Sequence, residues 1–166
     1  DKSMREYSLR NILLVPGAKE MLRFVKSFMP AFIVSTSYEH YMKALCNSVD
    51  FPFENVYCTE LNLDGFKMNE GESAELKRLG KEMVRLQIPE IPRRARSLNE
   101  FPVKMQNTVM QLDEIFWKQI ASMEIGAVLK EVSPVGGPEK ASAVSEIVSR
   151  MKADLDDVMY VGDSIT

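Results

Sequence analysis

Histidine and tryptophan each occur once in these 166 residues, and cysteine only twice. Cys46 and Cys58 stand at no metal-type spacing and form no Cys-rich framework. A reduced, cytoplasmic setting is the simplest expectation, with a bridge between the two left open. Long apolar runs are also missing. No stretch approaches the ~18 apolar residues that cross a bilayer, and no basic-then-apolar leader stands at Asp1, so membrane insertion is not expected. Nor is positive charge in excess, since 21 Lys and Arg face 24 Asp and Glu for a net charge of −3. That removes the electrostatic footprint of a nucleic-acid binder. The one basic knot, Arg93-Arg94-Ala95-Arg96, is short, sits beside prolines and reads as a solvated loop.

What is present suits a folded chain with a real core. Apolar residues make up 45% of the sequence and charged residues 27%, near the globular average, so nothing in the composition suggests disorder. The length fits one domain, or a core with a modest insert. The eleven methionines are expected to be mostly core filler.

The pattern along the chain alternates, changes, and alternates again. Pro16-Gly17 breaks the chain, and Ala18 to Met29 carries Met21, Leu22, Val25 and Phe28 at helical spacing. Pro30 ends that helix, and Ala31-Phe32-Ile33-Val34 suits a buried parallel strand with Ser35-Thr36-Ser37 at its carboxyl end. A helix over Tyr38 to Val49 and a strand over Asn55 to Glu60 follow, and then a turn-rich stretch around Asp64-Gly65. Residues 70–130 read as mainly helical, interrupted at Ile88-Pro89-Glu90-Ile91-Pro92 and Phe101-Pro102. The alternation resumes at Gly136-Gly137-Pro138, which opens a helix to about Lys152. Val158-Met159-Tyr160-Val161 then reads as a buried strand with Gly162-Asp163-Ser164 at its tip. Strand-helix repeats with polar residues at strand ends describe a doubly wound parallel sheet, which binds ligands beyond the carboxyl ends of its strands.

Chemistry-bearing residues fall at three places: the hydroxyl triplet Ser35-Thr36-Ser37, Lys140 in a helix's first turn, and Asp163 just after a strand. Each is commonplace alone, because hydroxyls follow many strands, most lysines are surface residues, and a strand-end Asp is often only a helix cap. Together, Ala31-Phe32-Ile33-Val34-Ser35, Gly137-Pro138-Glu139-Lys140 and Val161-Gly162-Asp163-Ser164-Ile165-Thr166 resemble the second, third and fourth motifs of the haloacid-dehalogenase-like (HAD-like) superfamily. The Pro16-Gly17 helix and the step from Lys140 to Asp163, which holds one helix and one strand, match the same pattern. The likeness spans residues 16–60 and 130–166. More narrowly it points to an archaeal HAD-like group, some members of which are linked to energy-converting hydrogenases.

The resemblance implies a three-layer, Rossmann-like α/β core from residues 1–60 and 130–166, with residues 61–129 as a mainly helical cap. It also implies Mg²⁺-dependent hydrolysis of a small phosphorylated metabolite through an aspartyl-phosphate. Ser35 would donate to a phosphoryl oxygen, and Lys140 would place an ammonium beside the nucleophile and phosphate. Thr36 and Ser37 would add backbone donors at a helix amino end, and Asp163 would hold Mg²⁺. The set is incomplete at both edges. Residues 1–15 contain only Asp1 and no Asp-x-Asp nucleophile pair, and the fourth motif's second acid would be the residue after Thr166. Residues 1–166 alone are therefore expected to be inactive. Two rivals stand beside this reading: a non-catalytic, partner-binding accessory subunit of a complex such as a hydrogenase, and an unrelated Rossmann-like or receiver domain. The latter lacks its Gly-rich loop and its early acidic pair here. Asn62-Leu63-Asp64-Gly65 mimics the nucleophile motif but reads as a polar turn. His40 reads as solvent-facing or capping, and Trp117 as insert core or cap-to-core packing.

Overall fold

A computed structural model describes residues 1–86 and 97–162. The chain forms two compact units, residues 1–62 with 132–166, and residues 63–131.

The first unit is mixed α/β and mostly helical. Helix α1 (Lys2–Arg10) packs on α3 (Glu39–Val49). Gly17 caps the amino end of α2 (Ala18–Lys26) in the left-handed region at φ 84°, which a residue without Cβ adopts freely. β1 (Ile33–Tyr38), α3 and β2 (Val56–Thr59) form a strand-helix-strand unit whose strands pair in parallel, since parallel strands need such a crossover. Helix α7 (Gly137–Met151) packs on β1. Cys46, Val49 and Phe51 form the closed part of the core, flanked by Leu22, Ile33, Leu45 and Val56. The α2 stripe is only partly used: Leu22 and Val25 are half-buried, while Met21 and Phe28 are exposed.

Among the described residues the sheet has two strands, β1 and β2, so the expected multi-stranded, three-layer core is reduced to one parallel pair with helices. The expected buried strand Val158–Val161 is a correction. It forms no strand and is exposed, with Met159 80% and Val161 84% accessible. An apolar run becomes a buried strand only when a neighbour offers a ladder and another layer covers it, and no described residue pairs with this one.

The second unit is helical: α4 (Glu70–Arg85), α5 (Val103–Asp113), a π-helical continuation over Glu114–Gln119, and the short α6 (Val128–Glu131). Asn69 caps α4 by accepting the Glu72 N–H at 2.8 Å. The Glu72 carboxylate in turn accepts the N–H groups of Glu124 and Ile125. Leu79, Ile115 and Ile120 are buried together, with Leu76, Met83, Phe116, Met123 and Leu129 around them. Gly126 is obligatory, because a Cβ there would lie 2.3 Å from the Ile120 carbonyl oxygen. Trp117 departs from expectation: its side chain is 64% exposed and forms no part of the core. The basic knot at 93–96 and the proline-rich break at 88–92 lie outside the described residues.

Candidate functional site

The hydroxyl triplet lies inside β1. The ladder pairs Ile33 with Val56, Val34 with Tyr57 and Ser35 with Cys58, then slips so that Tyr38 faces Thr59. This is a bulge, with surplus residues on β1. The strand was expected to stop at Val34, but β2 offers partners as far as Thr59, so pairing resumes beyond the slip. Ser35 and Ser37 are half-buried and Thr36 is exposed. The Ser35 hydroxyl oxygen accepts the Ser37 N–H at 3.1 Å, which pins the hydroxyl and leaves its proton to donate elsewhere. The same bond engages the Ser37 amide, which was expected to serve as an anion donor. Helix α3 starts only at Glu39, with Tyr38 as its cap.

Lys140 occupies the first turn of α7, behind Gly136 as N-cap and Pro138 inside the first turn. Proline suits that place because the N–H it lacks would have no helical partner there. The Lys140 N–H bonds to the Gly136 carbonyl at 2.9 Å. Its side chain is half-buried and takes part in none of the ion pairs among the described residues. Ser35 and Lys140 form no hydrogen bond with each other, but their elements are tied together. Thr59, the last residue of β2 and 1% exposed, donates its hydroxyl to the Thr36 carbonyl at 2.9 Å and accepts the Val135 N–H at 3.1 Å. The start of α7 is thereby joined to the carboxyl end of the parallel pair. The sequence offered no signal for Thr59 beyond a β-forming residue at a strand's end.

Asp163 lies outside the described residues. Among the described residues no group of three or more His, Cys, Asp or Glu side chains can hold a metal. His40 corrects its expectation: it is 5% exposed, with Nε2 3.2 Å from the Asp1 carboxylate and Nδ1 without a hydrogen-bond partner. Burial pulls this imidazole below the ordinary histidine range, against the opposing pull of Glu39. Hydrogen bonding to Lys43 holds the Glu39 carboxyl below the ordinary glutamate range.

A separate groove of about 530 Å³ runs between α7 and β2, lined among others by Glu39, Glu54, Glu60, Glu139, Glu146 and Arg150. Neither Ser35 nor Lys140 lines it. Tyr57 donates to Glu146 at 3.1 Å. Arg150 donates to the Glu54 carbonyl at 3.1 Å and to Asn55 Oδ1 at 3.0 Å, and its guanidinium lies 5.4 Å from the centre of the Phe32 ring. Cys58 also lines the groove, its thiol pushed up to about 11 mainly by burial. Cys58 and the buried Cys46 are both free thiols.

No family model, curated protein or solved structure matches this chain. No helix among the described residues is long and apolar enough to cross a membrane.

Proposed function

We propose that this chain carries the phosphate-handling part of a HAD-like, Mg²⁺-dependent phosphate monoester hydrolase, with an aspartate nucleophile supplied from outside these 166 residues. One observation carries the reading: the hydroxyl-bearing end of β1 and the lysine-bearing start of α7 are joined at the carboxyl end of a parallel strand pair. In open α/β sheets that end is where ligands bind. Ser35, its oxygen already engaged by Ser37, offers its proton to a phosphoryl oxygen. Lys140, with no ion-pair partner among the described residues, supplies positive charge to an anion and to a neighbouring carboxylate. Mg²⁺ would offset phosphate charge, with Asp163 as its protein ligand together with phosphate and water. The reading takes the sheet of the full-length protein to be the larger, three-layer core and residues 61–129 to be a substrate-selecting cap.

The test is hydrolysis of p-nitrophenyl phosphate by the full-length protein. Turnover is expected only with Mg²⁺, and Lys140→Met should lower it by about 100-fold or more, the scale of a lost charge-stabilising donor. Equal turnover in excess EDTA, or a wild-type rate in Lys140→Met, overturns the reading. Residues 1–166 alone should show no turnover.

A partner-binding, non-catalytic role is favoured by a different observation. Leu13 to Val15 and Val158 to Val161 are two separate runs of consecutive exposed apolar residues, with Leu13 84% and Val161 84% accessible, and contiguous exposed apolar surface marks interaction sites. Under that reading the full-length protein hydrolyses no phosphate monoester.

A further inference from the structure

We infer that Thr59 is a positioning residue whose single hydroxyl fixes the start of α7, and with it Lys140, against the hydroxyl-bearing end of β1. Its catalytic consequence rests on the phosphatase reading above.

The bulge creates the need for it. Where the ladder slips between Ser35 and Tyr38, Thr36 loses its place opposite β2, and the Thr59 hydroxyl supplies its carbonyl with a donor at 2.9 Å. The same oxygen accepts the Val135 N–H at 3.1 Å. Thr59 is almost wholly buried, so solvent is poorly placed to replace either bond. Beyond Val135 the chain turns tightly, with the Gly136 N–H on the Pro134 carbonyl at 2.8 Å, and the Lys140 N–H then closes on the Gly136 carbonyl at 2.9 Å. Every link from Thr36 to Lys140 is a hydrogen bond or a short piece of turn or helix backbone. The Lys140 side chain has no ion-pair partner among the described residues to place it, so where α7 begins decides where its ammonium can reach.

The residue type follows from the task. A hydroxyl donates and accepts through one atom. Valine has the same outline and does neither, so it leaves a carbonyl and an amide without partners. Serine keeps both bonds but loses the β-branch that restricts χ1. Thr59 touches no reacting atom in this scheme and acts only through the place it gives Lys140.

The experiment compares wild type, Thr59→Ser and Thr59→Val in the full-length protein by two readouts. The first is exchange of the Val135 amide hydrogen, expected to quicken on the order of tenfold or more in Thr59→Val and to stay near wild type in Thr59→Ser. Equal exchange in all three overturns the inference. The second is the division between kcat and KM for p-nitrophenyl phosphate. Thr59→Val should lower kcat about tenfold with KM moved less than about threefold, and Thr59→Ser should restore most of it. A wild-type kcat in Thr59→Val, or an equal loss in both variants, overturns the positioning role. Should wild type show no Mg²⁺-dependent turnover, the phosphatase reading falls and amide exchange alone decides whether Thr59 ties α7 to β1. If Thr59→Val does not fold, Val135→Pro removes the N–H on the other side of the same bond and leaves Thr59 in place. Val135 sits at the centre of a tight turn with negative φ, which proline accepts. It should reproduce the kcat loss, and an unchanged kcat there also overturns the role.

Discussion

Replacing Leu79 by alanine asks whether the helical unit has a core of its own. Leu79 is 0% exposed and is buried with Ile115 and Ile120. The change removes three carbons, a transfer loss of about 2.4 kcal/mol at ~0.8 kcal/mol for each buried CH₂. The space left behind adds a cavity cost that grows with whatever volume the neighbours fail to fill. Two of those neighbours, Met83 and Met123, are unbranched and flexible, so they should close part of it. The expected loss is therefore about 2.5–3.5 kcal/mol, in the lower half of the range for buried Leu→Ala changes. Trp117 is the only tryptophan and lies in this unit, so its fluorescence follows this unit through a urea titration while circular dichroism follows the whole chain. The transition midpoint should fall with little change of slope. Ile115→Val should cost only about 0.5–1.5 kcal/mol at the same cluster. A loss below about 1 kcal/mol for Leu79→Ala would mean that the site is not closed in the way its burial implies.

Two further outcomes concern the first unit. Arg150→Met keeps the stem but removes two hydrogen bonds and a ring contact that hold the far end of α7. With solvent access discounting each, it should cost about 1–2 kcal/mol in denaturant titration, and a change below about 0.3 kcal/mol would show that α7 does not need this clamp. His40 sets a pH response. Its folded-state pKa lies below the ordinary 6.5, so the unfolded chain takes up protons first and stability must decline as pH falls below that value. Glu39, also held low, acts the same way but only as pH falls through the range below its ordinary 4.5. Thermal midpoints between about pH 7.5 and 5 should drop for wild type and stay flatter for His40→Asn; a wild-type midpoint that rises on acidification contradicts the burial argument.

The helices with apolar residues at regular spacing were legible in the sequence because local pattern suffices for them. α2 begins directly after Pro16-Gly17 and ends before Pro30, α3 fills the expected Tyr38–Val49 stretch, α4 opens at the start of the expected helical block, and α7 runs from Gly136-Gly137-Pro138 almost to Lys152. The pattern changes near residues 61 and 130, and the chain passes between its two units at about the same places. α1 carried no apolar stripe, its one buried residue being Ser8, so nothing in the periodicity announced it. The carboxyl half of β1 depends on pairing with β2 and on a bulge, and neither is a property of Ser35-Thr36-Ser37 alone. Val158–Val161 shows the converse, since an apolar run states a demand for cover without stating that cover is present. His40 is buried because α1 packs on α3, a tertiary event that a lone histidine cannot signal. Of the candidate site, the strand-end hydroxyls and the helix-opening lysine were readable as residue types in context. Thr59 was not, because its function lies in partners distant along the chain.

The π-helical stretch at Glu114–Gln119 has a consequence for how this protein's surface is to be mapped. An ordinary helix advances about 100° per residue, so side chains five apart should diverge by about 140°. Ile115 and Ile120 nevertheless share Leu79 as a neighbour, because each hydrogen bond there reaches one residue further and the coil gains girth instead of length. The segment works as a phase shifter. A helical wheel drawn through it in one piece loses register there, so the residues before and after the stretch need separate wheels.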